Sequence, residues 1–272
     1  MPLPSARPIA LFDSGEGGLT VLRHLVEYFP QEKFLYAADS GHFPYGEKSL
    51  EEVRRWFLAF VDFFNDQGVR AIIIACNTAT AAALEEARQR TSVPVIGVVE
   101  AAVNRASAIS ENRRIGVLST EATYRSGLYP RALQNRDPAV YVVSKPCPVL
   151  VIMAENGHVD GIQVEDEVRQ CVSPVLAEDV DTIVLGCTHF PHMRQVFNRV
   201  VGDHVRIVDP GEEIAPYLSR DMRLVKTSGA QPPVAAWTTG DPALFTTIAA
   251  QLCPHIPVVT RPLHWRGGKL TD

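Results

Sequence analysis

The sequence predicts an α/β protein made of two pseudo-symmetric α/β lobes, with mostly parallel sheets and a cleft between the lobes. Three observations carry this prediction. Short apolar runs alternate with segments of helical spacing. Most of those runs are apolar at every position, as in strands covered on both faces of a parallel sheet. Two stretches also repeat. Arg70-Ala-Ile-Ile-Ile-Ala-Cys-Asn-Thr78 is matched by Asp181-Thr-Ile-Val-Leu-Gly-Cys-Thr-His189, 111 residues on, and Ile9-Ala-Leu-Phe-Asp-Ser14 by Ile115-Gly-Val-Leu-Ser-Thr120, 106 residues on. Two related units of similar size account for both offsets, and the period is too long for a solenoid. A cleft between two such lobes is a common ligand site.

In chain order, the expected strands are Ile9–Phe12, Phe34–Ala38, Ala71–Ala75, Val95–Val98, Ile115–Ser119, Val140–Val143, Thr182–Gly186 and Arg206–Val208. The clearest helix runs from Leu50 to Asp66, with Val53, Phe57, Phe60, Val61 and Phe64 on one face. Ser49 and Glu52 supply a capping box at its start, and Gly68 supplies its stop. A helix is expected over Thr80–Arg90, rich in Ala, Leu, Glu and Arg. Another should start near Pro191, a residue suited to a first helical turn.

Composition narrows the function. The chain has 272 residues, 46% of them hydrophobic, which is ample for a core. Its formal net charge of −5 shows no basic face of the kind a nucleic-acid binder carries. No apolar stretch is long enough to span a bilayer. Met1-Pro-Leu-Pro-Ser-Ala-Arg-Pro8 has no basic segment followed by an apolar run, so the expectation is a cytoplasmic protein without a secretory signal. Five cysteines, an odd number with no C-x-x-C pair, argue against a disulfide framework in a reducing compartment.

Two of those cysteines stand out. Cys76 and Cys187 occupy equivalent places, each at the end of an apolar strand and the start of a helical segment. Ligands of open α/β sheets bind at the carboxyl ends of strands, so both thiols should point into the cleft. A helix N-terminus should favour the thiolate over the ordinary thiol. Two acid–base thiols on opposite sides of one carbon suit proton removal from one face and return on the other, which inverts a stereocentre. Helix N-termini and the side chains of Asn77, Thr78 and Thr188 are placed to bind an α-carboxylate and share the developing charge. Cys147, Cys171 and Cys253 lack this setting and read as small core residues.

Four segments carry a resemblance: Phe12-Asp-Ser-Gly-Glu-Gly-Gly-Leu-Thr-Val21, Ala38-Asp-Ser-Gly-His-Phe-Pro-Tyr-Gly-Glu-Lys-Ser49, Ala75-Cys-Asn-Thr-Ala-Thr80 and Leu185-Gly-Cys-Thr-His-Phe-Pro191. Together they resemble the glutamate racemases of the aspartate/glutamate racemase superfamily. Weaker matches are Ile115-Gly-Val-Leu-Ser-Thr120, Cys147-Pro148, Asp209-Pro-Gly211 and Thr239-Gly240, all in family order. The resemblance implies that Cys76 and Cys187 are the proton donor and acceptor, with Cys76 acting on D-glutamate and Cys187 on L-glutamate. It implies that Asp13 and His189 assist the thiols, with Glu155 on the Cys187 side. Asp13, Ser14, Tyr45, Gly46, Asn77, Thr78, Thr188 and His189 are implied as substrate contacts, and Thr120 or Thr123 as a further carboxylate contact. No pyridoxal phosphate and no metal are implied. The implied product is D-glutamate, for bacterial peptidoglycan. The implied fold places residues 1–98 with 211–272 in one lobe and 99–210 in the other, and family members often form homodimers.

The chain departs from the family pattern at Glu16, an apolar position in most members, at Thr80 for serine, at His192-Met193 for a leucine pair, and around Val151-Ile-Met-Ala-Glu-Asn-Gly157. Taken alone, several motifs have plainer readings. Gly15-Glu-Gly-Gly18 fits neither a P-loop nor a dinucleotide fingerprint and reads as a tight strand-to-helix turn. Asp13 could cap that turn. Tyr45-Gly46 could be turn chemistry, and Glu155 a solvated charge. Cys187-Thr-His189-Phe-Pro-His192 fits no familiar zinc spacing, and His189 suits an orienting or acid–base partner better. His192 reads as a surface or helix-end residue. The rival readings are a racemase of another amino acid such as aspartate and a non-catalytic two-lobed binding protein. Those aspartate enzymes usually carry Thr-Glu after the second cysteine, where this chain has Thr188-His189. Some glutamate racemases also bind DNA gyrase, on which this sequence is silent.

Overall fold

The computed structural model describes residues 7–221, 229 and 231–272. The first part of the chain forms β1 (Ile9–Asp13), α1 (Leu19–Tyr28), β2 (Phe34–Ala38), α2 (Leu50–Asp66), β3 (Ala71–Ile74), α3 (Asn77–Arg90) and β4 (Val95–Gly97). After α4 (Val98–Ile109) come β5 (Arg114–Ser119), α5 (Glu121–Ser126), α6 (Leu128–Arg136), β6 (Tyr141–Pro146), α7 (Pro148–Glu155), α8 (Ile162–Leu176), β7 (Thr182–Gly186), α9 (Arg194–Val201), β8 (Arg206–Val208) and α10 (Pro210–Asp221). The chain ends with β9 (Val234–Thr238), α11 (Pro242–Leu252), β10 (Val258–Pro262), β11 (His264–Arg266) and β12 (Lys269–Thr271).

Two parallel sheets result. One has the order β10-β9-β2-β1-β3-β4 and the other β6-β5-β7-β8. The run β2-β1-β3-β4 maps strand for strand onto β6-β5-β7-β8, so the sequence repeat is a topological duplication. In each unit the first strand lies between the second and third. The order in which strands are added across the sheet therefore reverses between β1 and β3, and between β5 and β7, which is the switch point where such sheets bind ligands. Asp13 ends β1, Cys76 follows β3, Thr120 follows β5 and Cys187 follows β7.

The eight expected strands all form, three with the expected bounds. β4 stops at Gly97 because Val98 already opens α4. β9 and β10 extend the first sheet beyond β2 and were not expected: Val-Ala-Ala-Trp-Thr is short and has alanine at two of its five positions, a weak strand signal. Helix α2 has the expected bounds, and its capping box is complete: Glu52 N–H donates to Ser49 Oγ at 3.2 Å and Ser49 N–H to Glu52 Oε2 at 3.1 Å.

Helices cover both faces of each sheet. In the first, Leu22, Leu25 and Phe245 pack on one face and Phe57, Phe60 and Phe64 on the other. In the second, Val168, Val172 and Phe197 pack on one face and Tyr129 and Leu133 on the other. Helix α4 serves both lobes, giving Val98 and Ala101 to one core and Val99, Ala102 and Val103 to the other. No helix among the described residues is long and apolar enough to cross a membrane.

Candidate active site

The carboxyl ends of both sheets meet around one small cavity of about 20 Å³, room for little more than a water molecule, so the two lobes stand close together here. Ser14, Tyr45, Gly46, Cys76, Asn77, Thr78, Thr120, Cys187, Thr188 and His189 line it. Phe43, Pro44, Val151 and Gly186 complete the wall and were not singled out in the sequence. Phe43 and Pro44 sit inside the segment that pointed to Tyr45, so the motif carried them. Asp13, Thr123 and Glu155 stand behind the wall, each bonded to a residue that lines it.

Cys76 is itself the N-cap of α3, which begins at Asn77 rather than Thr80. Ala79 N–H donates to its sulphur at 3.4 Å, and its thiol reaches Ser14 Oγ at 3.7 Å. The expected preference for thiolate does not hold there. Burial, reinforced by the nearby Asp13 carboxylate, pushes the Cys76 thiol up to about 12, and the Ala79 N–H offsets only part of this. Asp13 is buried too, and burial lifts it to about 6 against the pull of His189 and the N–H groups of Gly18 and Gly15. Its Oδ2 accepts from Gly18 N–H at 2.9 Å, so it does cap the glycine turn. It also receives the Thr188 hydroxyl at 3.4 Å from the other lobe.

The Cys187 side is built differently. The helical segment expected to start near Pro191 opens as a 3-10 turn at Phe190–Met193 and becomes α-helical only at Arg194, the start of α9. Cys187 therefore lacks the full helix dipole that the sequence suggested. A histidine stands next to it instead. His189 Nδ1 lies 3.8 Å from Cys187 Sγ, and His189 Nε2 lies 2.8 Å from Glu155 Oε2. Burial acts to lower the His189 pKa, but hydrogen bonds to Cys187 and Glu155 prevail and hold it well above the ordinary imidazole value. The two thiols thus have opposite neighbours, a carboxylate at Cys76 and an imidazolium at Cys187. His192 is half-buried, and burial next to His189 lowers its pKa to about 4. Glu16 is buried, with Ser40 Oγ donating to it at 2.9 Å.

Direct contacts join the lobes around the cavity. Thr78, Thr120 and Thr123 hydroxyls form a triangle with 3.0 Å sides. The Tyr129 hydroxyl donates to Asn77 Oδ1 at 2.7 Å. Two glycines allow the close approach. A Cβ on Gly17 would lie 2.6 Å from Thr188 Oγ1, and one on Gly46 would lie 2.7 Å from Thr120 Cβ. Away from the cavity, His24, Asp209 and Glu212 bring ligand-type atoms within 4.8 Å of one another, with Arg194 paired to Glu212 at 3.3 Å.

Comparison with known proteins agrees with this geometry. The family model for Asp/Glu/hydantoin racemase matches residues 14–218. A glutamate racemase from Symbiobacterium thermophilum is 47% identical over 252 residues, covering 91% of each chain. The crystal structure of a glutamate racemase isoform from Bacillus anthracis superposes with a TM-score of 0.88 at 34% identity, covering 94% of this chain and 97% of that one. The glutamate racemase from Francisella tularensis in complex with D-glutamate gives 0.85 at 30% identity, with the same coverage. Placed by a match across three quarters of its length, and by relatives that align almost end to end, the chain belongs to the Asp/Glu/hydantoin racemase family, among the glutamate racemases.

Proposed function

We propose that the protein interconverts L-glutamate and D-glutamate by a two-base proton transfer that uses no cofactor. The observation that carries this reading is the meeting of Cys76 and Cys187, from equivalent strand ends of a duplicated fold, in one cavity. In the L-to-D direction, Cys187 as thiolate takes the α-proton while protonated His189 stands beside it. The electron pair left on Cα is delocalised into the α-carboxylate. Cys76, held as the thiol by burial and Asp13, returns a proton to the opposite face. Cys76 is left as thiolate and Cys187 as thiol, and exchange with solvent resets the pair. In the D-to-L direction the roles reverse, and the substrate ammonium offsets the charge that Asp13 places beside Cys76.

Ser14, Asn77, Thr78, Thr120 and Thr188, with the free N–H groups at the start of α3, bind the substrate carboxylates and stabilise the developing charge. Tyr45 and Gly46 line the wall, Thr123 holds Thr78 and Thr120, and Glu155 keeps His189 charged. The lobes divide as 1–98 with 211–272 and 99–210. The protein works in the cytoplasm as a homodimer, and its D-glutamate supplies peptidoglycan.

The test is α-proton exchange in deuterated buffer with chelator present, followed by NMR and optical rotation. Wild type should exchange and invert both glutamate enantiomers. Cys76→Ser should exchange L-glutamate alone, Cys187→Ser should exchange D-glutamate alone, and neither should invert. Exchange of aspartate in place of glutamate would move the substrate; loss of the enantiomer preference in the two variants would remove the assignment of the thiols.

A further inference from the structure

Asp39 follows β2, outside the cavity, and is fully buried. Four side chains donate to its carboxylate. From the loop after β2, the Tyr45 hydroxyl reaches Oδ2 at 2.6 Å and His42 Nδ1 reaches it at 2.9 Å. From the end of β9, the Thr239 hydroxyl reaches Oδ1 at 2.7 Å. From the C-terminal hairpin, Trp265 Nε1 reaches Oδ1 at 3.2 Å. A carboxylate offers about four acceptor sites, so this one is filled. The Tyr45 hydroxyl is therefore turned to Asp39, and burial beside that carboxylate raises it well above the ordinary phenol value.

The hairpin of β11 and β12 pairs with neither large sheet. Its Trp265 and Leu270 pack against the α2 side of the first core. His42 lies between two indoles, stacked on Trp56 at 4.1 Å and edge-on to Trp265 at 5.3 Å. The same loop carries Phe43, Pro44, Tyr45 and Gly46 to the cavity wall. Gly46 meets Thr120 so closely that an added Cβ would lie 2.7 Å from it. A shift of a few tenths of an ångström in this loop thus changes the contact between the lobes.

We propose that Trp265, acting through Asp39, is a positioning residue for the Phe43–Gly46 wall, which makes the C-terminal hairpin a working part of the active site. The proposal rests on the racemase reading for its kinetic consequence but not for its structural one. Trp265→Phe keeps the ring packing and deletes the indole N–H. Leu270→Ala loosens the same hairpin without touching Asp39.

The first readout needs no substrate. Amide hydrogen exchange in residues 40–48 should quicken in Trp265→Phe and stay at the wild-type rate in Leu270→Ala, even though the latter melts at a lower temperature. The second readout is kinetic. In Trp265→Phe, KM for both glutamate enantiomers should rise by roughly three- to tenfold with kcat nearly unchanged, the effect of one weakened hydrogen bond on binding. Wild-type exchange at 40–48 in Trp265→Phe overturns the proposal, as does a Leu270→Ala variant that reproduces its changes. If Trp265→Phe does not fold, Thr239→Val decides: it removes another of the donors to Asp39 Oδ1 and leaves the hairpin intact, and because the Thr239 hydroxyl also accepts Gly41 N–H, the readout is taken at residues 42–48, where unaltered exchange overturns the proposal. If wild type fails to racemise glutamate while exchange still responds to Trp265, the substrate reading falls and the positioning role stands.

Discussion

The Tyr129 hydroxyl donates to Asn77 Oδ1 at 2.7 Å, linking α6 of one lobe to the first residue of α3 in the other. Both side chains are buried. Tyr129→Phe deletes the bond and leaves the amide oxygen without its partner, a loss of roughly 1–3 kcal/mol. We expect kcat/KM to fall about tenfold, by the same factor in both directions, because the equilibrium between mirror-image solutes is fixed. Initial rates from each enantiomer check this, and an unchanged kcat/KM would show that the contact plays no part in catalysis.

Gly17→Ala should also act at the lobe contact. Its Cβ would lie 2.6 Å from Thr188 Oγ1 and 2.9 Å from His189 Cε1. Overpacking of this kind costs about 1–3 kcal/mol. The expected outcome is a lower melting temperature together with reduced activity, read by calorimetry and by rate. A variant that melts and turns over like wild type would mean that Thr188 and His189 yield easily.

Glu155→Gln replaces the carboxylate that holds the proton on His189 Nε2. Without it, burial lowers the His189 pKa with less opposition. If the imidazolium is the working form, the alkaline limb of the kcat–pH profile should move to lower pH. A profile that keeps its alkaline limb in place would remove His189 as the titrating group.

Asp209 predicts a pH dependence of stability. Burial raises its carboxyl from the ordinary 3.8 to about 6; Gly211 N–H, Arg194 and Arg23 oppose the rise, Glu212 adds to it, and His24 lies alongside. The unfolded chain loses this proton first as pH rises. The contribution to stability is therefore complete below pH 3.8 and is lost as pH climbs through about 6. A rise of that size corresponds to roughly 3 kcal/mol. Asp209→Asn should unfold at higher denaturant than wild type at pH 8 and lose that advantage near pH 4. Parallel denaturation curves at both pH values would show that the group is not strained by burial.

Much of the fold was legible because covered parallel strands are apolar throughout, a signal as plain in Ala71–Ile74 as in Thr182–Gly186. The repeat identified the two strand-end thiols for the same reason. β9 escaped because alanines carry little strand preference; its place beside β2 depends on tertiary packing. The charge around Cys76 escaped for another reason. Sequence reveals a helix start, whereas the depth at which Asp13 and the thiol are buried together is a property of the assembled lobes. Tyr129 lies in a helix with no motif, and only its partner across the cleft marks it. Asp39 stood within a recognised segment, yet two of its four donors, Thr239 and Trp265, come from some two hundred residues away.

The duplication of β1–β4 as β5–β8 bears on chirality. The correspondence that carries one lobe onto the other also exchanges Cys76 with Cys187. With their other substituents held in place, two enantiomers differ in the side to which the α-hydrogen points, so a duplicated scaffold offers each hand a thiol from an equivalent strand end. Discrimination between them must then come from the residues that the duplication did not preserve. Asp13 with Ser14 stands on one side and His189 with Glu155 on the other, and in the proposed reaction it is these groups that would tell the two hands apart.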